Sequence, residues 1–240
     1  MDATHSSFER SFATKVLPTV LSLIAGSVDI ISFVALGGLF TAHITGNLVI
    51  LASHVVSGGD APLAVMLSVP VFMVVLVLTR LLAAGLEAIG LASLRPLLLL
   101  QFLLLGGFLV LCVAAGPRID PNAAHAILAG MLGVSAMAVQ NTLPQISLTS
   151  APSTAVMTTN VTRFMMDVGE VLLGRDPDEV AKARSRAKKT WPPIVGFSVG
   201  CGIGAACENA VGLWSLALPA GLALLAVAMG FATKLDGGEH

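Results

Sequence analysis

Four long runs of this 240-residue chain contain almost no charged residues, with at most two in any run: residues 16–79, 96–117, 121–162 and 191–233. A helix needs about 20 mainly apolar residues to cross a bilayer, and every run is at least that long. A membrane β-barrel would instead show segments of about ten residues with alternating polarity, and these runs do not alternate. The pattern predicts an all-α polytopic membrane protein whose main partner is the lipid bilayer.

The overall composition supports the same class. Only 11% of the residues are charged and 55% are hydrophobic, whereas a soluble domain carries about 25% charged residues. A net charge of -1 argues against a basic nucleic-acid-binding protein, so no nucleic-acid partner is expected. Three cysteines in 240 residues exclude a disulfide scaffold.

The apolar runs divide into six predicted membrane spans: 16–39, 62–84, 96–115, 121–143, 191–210 and 213–231. Shorter apolar segments at 41–56 and 154–173 follow the first and fourth spans. Six crossings result if these two segments are re-entrant or broken helices, and eight result if they cross fully. The whole chain, 1–240, is read as a single membrane domain.

The orientation follows from a cluster of charges between the fourth and fifth spans. Residues 163–189 hold twelve of the 27 charged residues, and segment 174–190 is rich in Lys and Arg. Because basic loops stay in the cytoplasm, this segment is predicted to be a cytoplasmic loop. Arg80 and Arg95 bracket the loop after the second span, which favours six crossings with both termini in the cytoplasm. The basic segment is read mainly as a topology anchor, with binding of anionic lipid or of a partner as the alternative.

A short motif occurs twice in the chain. Residues 41–49 read TAHITGNLV and residues 154–162 read TAVMTTNVT, with two threonines, an alanine and an asparagine in register. Each copy follows one span and precedes two more, so the chain is read as two repeats, 16–115 and 121–231. A repeat with three crossings must be inverted relative to its copy, and inverted repeats are typical of secondary transporters.

Broken helices near the membrane midplane form the substrate sites of many such transporters. Hydroxyl and amide groups of the two motifs offer donors and acceptors, and Gly46 would permit unwinding and close approach of a ligand. The predicted substrate- or ion-binding residues are Asp29, Thr41, Thr45, Gly46, Asn47, Asn141, Thr154, Thr158 and Asn160. The alternative is that the Thr and Asn side chains bond to backbone between packed helices.

Asp29 is the strongest single candidate, because a carboxylate in the middle of an apolar helix is costly unless it is paired or functional. We interpret it as a carrier of H⁺ or Na⁺, with Asn141 as its non-titrating counterpart. His43 lies in the first motif and is a candidate pH sensor. Three charged residues of the second motif segment recur at helical spacing and are predicted either to line a pathway or to form a salt-bridged stripe: Arg163, Asp167 and Glu170.

These residues also resemble a known family. The sequence GSVD at residues 26–29 with FTAHITGN at residues 40–47 resembles the signature of the YoaK-like bacterial inner-membrane proteins, a family of unknown function. Residues 140–141 followed by the second motif resemble its second-half signature, although Thr159 stands where the family usually has a Gly-containing version. The resemblance covers about residues 16–230. It implies a six-span inner-membrane protein of the kind described as a transporter or permease.

The predicted function is secondary transport of a small polar solute or ion. No phosphate-binding loop of the Walker type is present, and the His and Cys residues have no metal-ligand spacing, so no cofactor, metal or enzyme activity is expected. The glycines at 196, 200 and 204 form a helix-packing face rather than a hydrolase motif. The alternatives are an intramembrane enzyme that uses Asp29 with His43, or a scaffold that docks through the basic segment. Whether two copies must associate to enclose a pathway is left open.

Overall fold

The fold comes from a computed structural model that describes residues 2–59, 61–116, 119–149, 151–174 and 176–232, with side chains from residue 15 onward. Within these ranges the chain is helical and contains no strand, which confirms the all-α class. The helices in chain order are α1 Asp2–Ala35, α2 Ile44–Ser57, α3 Leu63–Ala88, α4 Leu94–Ala114, α5 Ala124–Ile146, α6 Met157–Leu173, α7 Pro177–Val211, a 3₁₀ helix Gly212–Leu216, and α8 Ala217–Ala232.

In the described part of the chain, five stretches are long and apolar enough to cross a membrane: Lys15–Ala35, Leu63–Ala88, Leu94–Ala114, Ala124–Ile146 and Pro177–Ala232. The last stretch runs from α7 through α8 and contains two of the predicted spans, 191–210 and 213–231. The membrane character of the chain is therefore confirmed.

The two short apolar segments are separate helices. α2 has 14 residues and α6 has 17, and each begins three residues after the first threonine of its motif. At about 1.5 Å per residue, α2 is only about 21 Å long and α6 about 26 Å. Both are shorter than the hydrocarbon core of a bilayer, which is about 30 Å thick.

The first predicted span, 16–39, is too long by four residues at its C-terminal end. α1 ends at Ala35, and Gly37 and Gly38 follow with φ angles of +64° and +89°. Residues with side chains rarely adopt such angles, so the glycine pair creates the break between α1 and α2. The end of the helix is thus decided by backbone conformation, which the apolar pattern did not indicate.

The segment 174–190, predicted as a loop, is a helix from Pro177 onward. Asp176 is the N-cap and its side chain accepts a hydrogen bond from the Asp178 N–H at 2.9 Å, while Pro177 occupies the first helical position. Both features start helices, and the many Lys, Arg and Ala residues that follow are good helix formers. Arg175, one of the predicted basic residues, lies outside the described residues.

The helices α1 and α5 form the centre of the molecule. In each of these two helices 72% of the most apolar stretch is buried, against 17–39% in the other spanning stretches. α1 packs between α7 and α8, and α5 packs between α3 and α4. The central helix of each half of the chain therefore packs between two helices of the other half.

These packing relations are symmetric when the first four helices are exchanged with the last four. The contact of α1 with α7 corresponds to that of α5 with α3, and the contact of α1 with α8 corresponds to that of α5 with α4. α2 packs on α3 just as α6 packs on α7, and α4 meets α8 across the centre. The two halves thus share one pattern of neighbours.

The predicted glycine face of α7 packs directly against α1. Gly196, Gly200 and Gly204 are all buried, and a Cβ atom at Gly204 would lie 2.7 Å from Ile30 Cγ2 and 2.9 Å from Ser27 Cα. Real carbon atoms do not approach this closely, so the absence of side chains sets the distance between the two helices. Gly202 lies on the opposite, open face of the same helix.

We predict that Gly204→Ala lowers the melting temperature of the purified protein, because overpacking against the Ser27 backbone costs about 1–3 kcal/mol. Gly202→Ala is the matched control, and it should leave the melting temperature unchanged or raise it because alanine is the better helix former. Thermal unfolding in detergent measures both variants. Equal stability of the two would contradict the packing described for α1 and α7.

Candidate functional site

Asp29 organises the break between α1 and α2. Its side chain is buried on α1, and Oδ1 accepts hydrogen bonds from the N–H groups of Thr41 and Ala42, both at 2.8 Å. Oδ2 lies 2.7 Å from Nδ1 of His43. The segment that follows the glycine pair is therefore folded over the end of α1 and held there by one carboxyl group.

Asn47 fixes the same segment from the other side. Its amide donates to the Phe40 carbonyl at 2.7 Å and to the Ser68 hydroxyl on α3 at 2.8 Å, and its Oδ1 accepts from the Phe40 N–H at 3.0 Å. Asn47 thus satisfies both backbone groups of one residue in the break and ties α2 to α3.

Gly46 does not unwind the chain, contrary to the expectation. It lies in the first turn of α2, where a Cβ atom would come within 2.9 Å of the Phe40 ring. The glycine therefore makes room for an aromatic side chain of the protein, and it does not contact the cavity described below.

The second motif is held by hydrogen bonds at corresponding residues, but some of the donors and acceptors differ. Asn160 donates to the Ser153 carbonyl at 2.6 Å, seven residues back along the chain as in the first motif. Thr154 is contacted by the Gln140 amide at 3.2 Å, and the same amide donates to the Leu21 carbonyl on α1 at 2.8 Å. Gln140 therefore contacts the second motif from α5 as Asp29 contacts the first from α1, but it donates to a hydroxyl where Asp29 accepts from backbone N–H groups.

The expected counterpart of Asp29 was the neighbouring residue, Asn141. Its amide bonds to the Met137 carbonyl of its own helix at 2.8 Å and does not reach the second motif. Gln140 precedes Thr154 by 14 positions whereas Asp29 precedes Thr41 by 12, and these two extra residues hid the correspondence in the sequence comparison.

A cavity of about 520 Å³ lies between the two motifs. Its wall takes four consecutive residues from each motif region, Ala42–Thr45 and Ala155–Thr158, and these are joined by side chains of two membrane helices. The contributing residues of α3 and α5 are Phe72, Leu76, Arg80, Asn141, Thr142, Gln145 and Ile146.

The predicted site residues divide into two groups around this cavity. Thr45, Thr158 and Asn141 line it. The others are buried behind the wall and hold the motif segments in place: Asp29, Thr41, Asn47, Thr154 and Asn160. His43 links the groups, because it lines the cavity and contacts Asp29.

The charged residues predicted to line a pathway lie elsewhere. Arg163 and Asp167 border a second cavity of about 510 Å³ between α6 and α7. Asp167 is buried and pairs with Arg186 of α7, with oxygen–nitrogen distances of 2.7 and 2.8 Å. Glu170 is not part of that cavity wall. This ion pair, formed by a buried Asp167 and an exposed Arg186, joins α6 to the basic start of α7.

Several cavity and support residues were not predicted, among them Gln140, Thr142, Gln145 and Arg80. Gln140 was part of the family resemblance at residues 140–141, but nothing there distinguished it from its neighbour Asn141. Arg80 was read as the flank of a loop, but α3 continues for two turns beyond it to Ala88, and Arg80 lines the cavity. The sequence did indicate that Arg80 is unusual, since it is the only charged residue between positions 61 and 86.

Among the residues that the structure describes, no three His, Cys, Asp or Glu side chains come together as metal ligands would. The site therefore consists of hydroxyl, amide, imidazole and guanidinium groups around an apolar space. Such a wall can bind and orient a small molecule through hydrogen bonds.

A family model described as a protein of unknown function (DUF1275) matches residues 17–229. The match covers most of the chain and agrees with the expectation of a family without an assigned function, but it does not carry the YoaK-like name. No curated protein and no solved structure matches the chain.

We predict that Asp29→Ala destabilises the protein strongly, because it leaves the buried N–H groups of Thr41 and Ala42 without an acceptor. An unpaired buried donor costs about 1–3 kcal/mol, so two of them should lower the melting temperature by many degrees or prevent folding. Asp29→Asn keeps an acceptor oxygen in place and should lose far less. Thermal unfolding of the two variants measures the difference, and equal losses would contradict the anchoring role of the carboxyl group.

Proposed function

The chain belongs to the DUF1275 family, and we propose that it is a secondary transporter that moves a small polar solute across a bacterial inner membrane. The observation that carries this proposal is the cavity of about 520 Å³ whose walls come from both motif segments. Transporters built from two repeats place their substrate between corresponding broken helices, and the cavity has this position.

The symmetric packing supports an inverted-repeat architecture. Exchange of the two halves preserves the neighbours of α1 to α8, and α2 and α6 begin at corresponding residues of the two motifs. If each short helix enters the membrane and returns on the same side, each half crosses three times. The second half then runs opposite to the first, as the sequence repeat predicts.

Alternating access would move the short helices against their supports. α2 packs mainly on α3, and α6 packs mainly on α7, while α3 and α7 also pack on the central helices α5 and α1. The short helices α2 and α6 are therefore the elements best able to shift. Movement of either one would open the cavity wall at one motif.

The orientation is proposed from the charges. The basic residues at the start of α7 would face the cytoplasm, since positive residues at span ends remain on that side. Both termini then lie in the cytoplasm. Residues 233–240, which include the C-terminal end, lie outside the described residues.

Proton coupling is proposed for the pair of Asp29 and His43. Asp29 is almost fully buried and accepts from two backbone N–H groups, whereas the His43 side chain is 37% exposed and lines the cavity. A proton gained or lost by the imidazole would change the charge of the cavity wall and the strength of its bond to Asp29. The second half has Val156 in the position of His43, so coupling would occur in one half only.

Cysteine labelling tests the position of the substrate path. In a background with Cys201 and Cys207 replaced by alanine, we expect Thr45→Cys and Thr158→Cys to react with a water-soluble thiol reagent and the reaction to abolish solute uptake. Thr159→Cys is the matched control, because this residue is exposed but lies outside the cavity. Its labelling should leave uptake intact, and inhibition equal to that at position 158 would argue against the cavity as the path.

Proteoliposomes loaded with a pH-sensitive dye test transport and its coupling together. Addition of amino acids, nucleobases and organic acids in turn should reveal a solute that acidifies the lumen. Asp29→Asn should still fold, and it should move the same solute without the pH change. No solute-dependent signal in an active reconstitution would favour the scaffold or enzyme alternatives, and a full pH signal in Asp29→Asn would exclude the proposed coupling.

A further inference from the structure

Arg80 is a cation inside an apolar helix. It lies eight residues before the end of α3, about 12 Å along the helix axis, and no other charged residue occurs between positions 61 and 86. A cation within the apolar stretch of a membrane-spanning helix is costly, and cations in such helices commonly mark the pathway of a ligand. Arg80 also lines the cavity between the two motifs.

The ion pair of Arg80 within the protein is weak. Its Nη1 atom lies 3.7 Å from Oε2 of Glu87, which is longer than a hydrogen bond, and the two side chains are 59% and 49% exposed. No hydrogen bond joins the two side chains at this distance, so the N–H groups of Arg80 are not bound to Glu87. The guanidinium group therefore keeps its donors available to a molecule in the cavity.

The rest of the cavity wall also favours a negatively charged ligand. No Asp or Glu occurs among the described residues that line the cavity, and the polar lining consists of His43, Thr45, Arg80, Asn141, Thr142, Gln145 and Thr158. Asp29 lies behind the wall, where its oxygens already accept from backbone and His43. Only Arg80 and His43 in this wall can carry charge, and both charges are positive.

Two helix starts reinforce this preference. α2 begins at Ile44 and α6 begins at Met157, and both residues lie on the cavity wall. Neither helix has a side-chain cap on its first N–H groups. The N-terminus of a helix carries a partial positive charge, so both helices would stabilise an anion between them.

Slightly more than half of the wall is apolar. Eight of its fifteen residues are Ala42, Ile44, Phe72, Leu76, Ile146, Ala155, Val156 and Met157. A volume of about 520 Å³ falls within the range of small-molecule sites. One guanidinium group in such a space can hold one planar anionic group by two parallel hydrogen bonds.

We infer that the cavity binds a small organic monocarboxylate with an apolar body, with the carboxylate on Arg80 and the apolar part against Phe72 and Leu76. This inference rests on the proposed function, because it names the substrate class of the same cavity. Arg80 is then a binding residue, and Glu87 is a competitor that the substrate displaces.

The test measures thermal stabilisation of the full chain in detergent by matched pairs of ligands. Benzoate is compared with benzamide and with benzylamine, and 4-methylvalerate is compared with its amide. A ligand that binds only the folded state raises the melting temperature. We expect stabilisation by both carboxylates, and at least about tenfold weaker binding of the amides and of benzylamine.

Variants assign the effect to Arg80. Arg80→Gln should weaken carboxylate binding by at least about tenfold and leave amide binding unchanged, while Arg80→Lys should retain part of the affinity. Glu87→Gln is the matched control on the same helix, and it should bind the carboxylates as well as or better than the unmodified chain. If Arg80→Gln does not fold, Glu87→Gln still tests the inference, because weaker carboxylate binding by Glu87→Gln would contradict it.

The outcomes separate this inference from the proposed transport. Equal binding of carboxylate and amide, or no binding of any carboxylate, would overturn the inference, as would full affinity in Arg80→Gln. Uptake of a neutral or cationic solute would overturn it while leaving transport intact. Arg80-dependent binding without uptake of labelled benzoate into proteoliposomes would support the carboxylate site and contradict transport.

Discussion

The carboxyl group of Asp29 holds together the part of the molecule on which the candidate site depends. A chain that leaves a helix inside an apolar protein must find new partners for its backbone N–H groups. Asp29 accepts two of them from the break between α1 and α2 and contacts His43 as well. Because α1 is one of the two central helices, this anchoring also fixes where the first motif segment meets the cavity. The intramembrane carboxylate therefore has a structural role, and its proposed functional role acts through His43.

The corresponding break in the second half is contacted by neutral groups instead of a carboxyl group. Gln140 contacts Thr154 and α1 through its amide, and its Oε1 accepts from Gln101 of α4 at 2.7 Å. One half of the site thus holds an acid and an imidazole, and the other half holds neutral groups. Positive charge on the cavity wall comes from the first half alone, through His43 and Arg80. The two halves share a pattern of neighbouring helices but differ in the charge that they bring to the cavity.

Much of the fold could be predicted from the sequence, since apolar run length determines which segments become long helices. The motif match likewise located both short helices: its first threonines lie in the breaks, and its asparagines lie in the first turns of the helices that follow. The ends of the elements could not be predicted in the same way. The break after Ala35 depends on the φ angles of Gly37 and Gly38, and the helix at Pro177 depends on a cap. The partner of Thr154 and the position of Arg80 depend on tertiary packing, which a self-comparison does not contain.

The central claim is that the two motif segments are the moving walls of one cavity. Spin labels on exposed positions of α2 and α6, such as Val49 and Met166, report the distance between these helices in lipid nanodiscs by double electron–electron resonance. The account predicts two distance populations whose ratio changes between pH 5 and pH 8 in the unmodified chain, through protonation of His43. A single distance that stays unchanged by pH and by every solute tested would contradict the account.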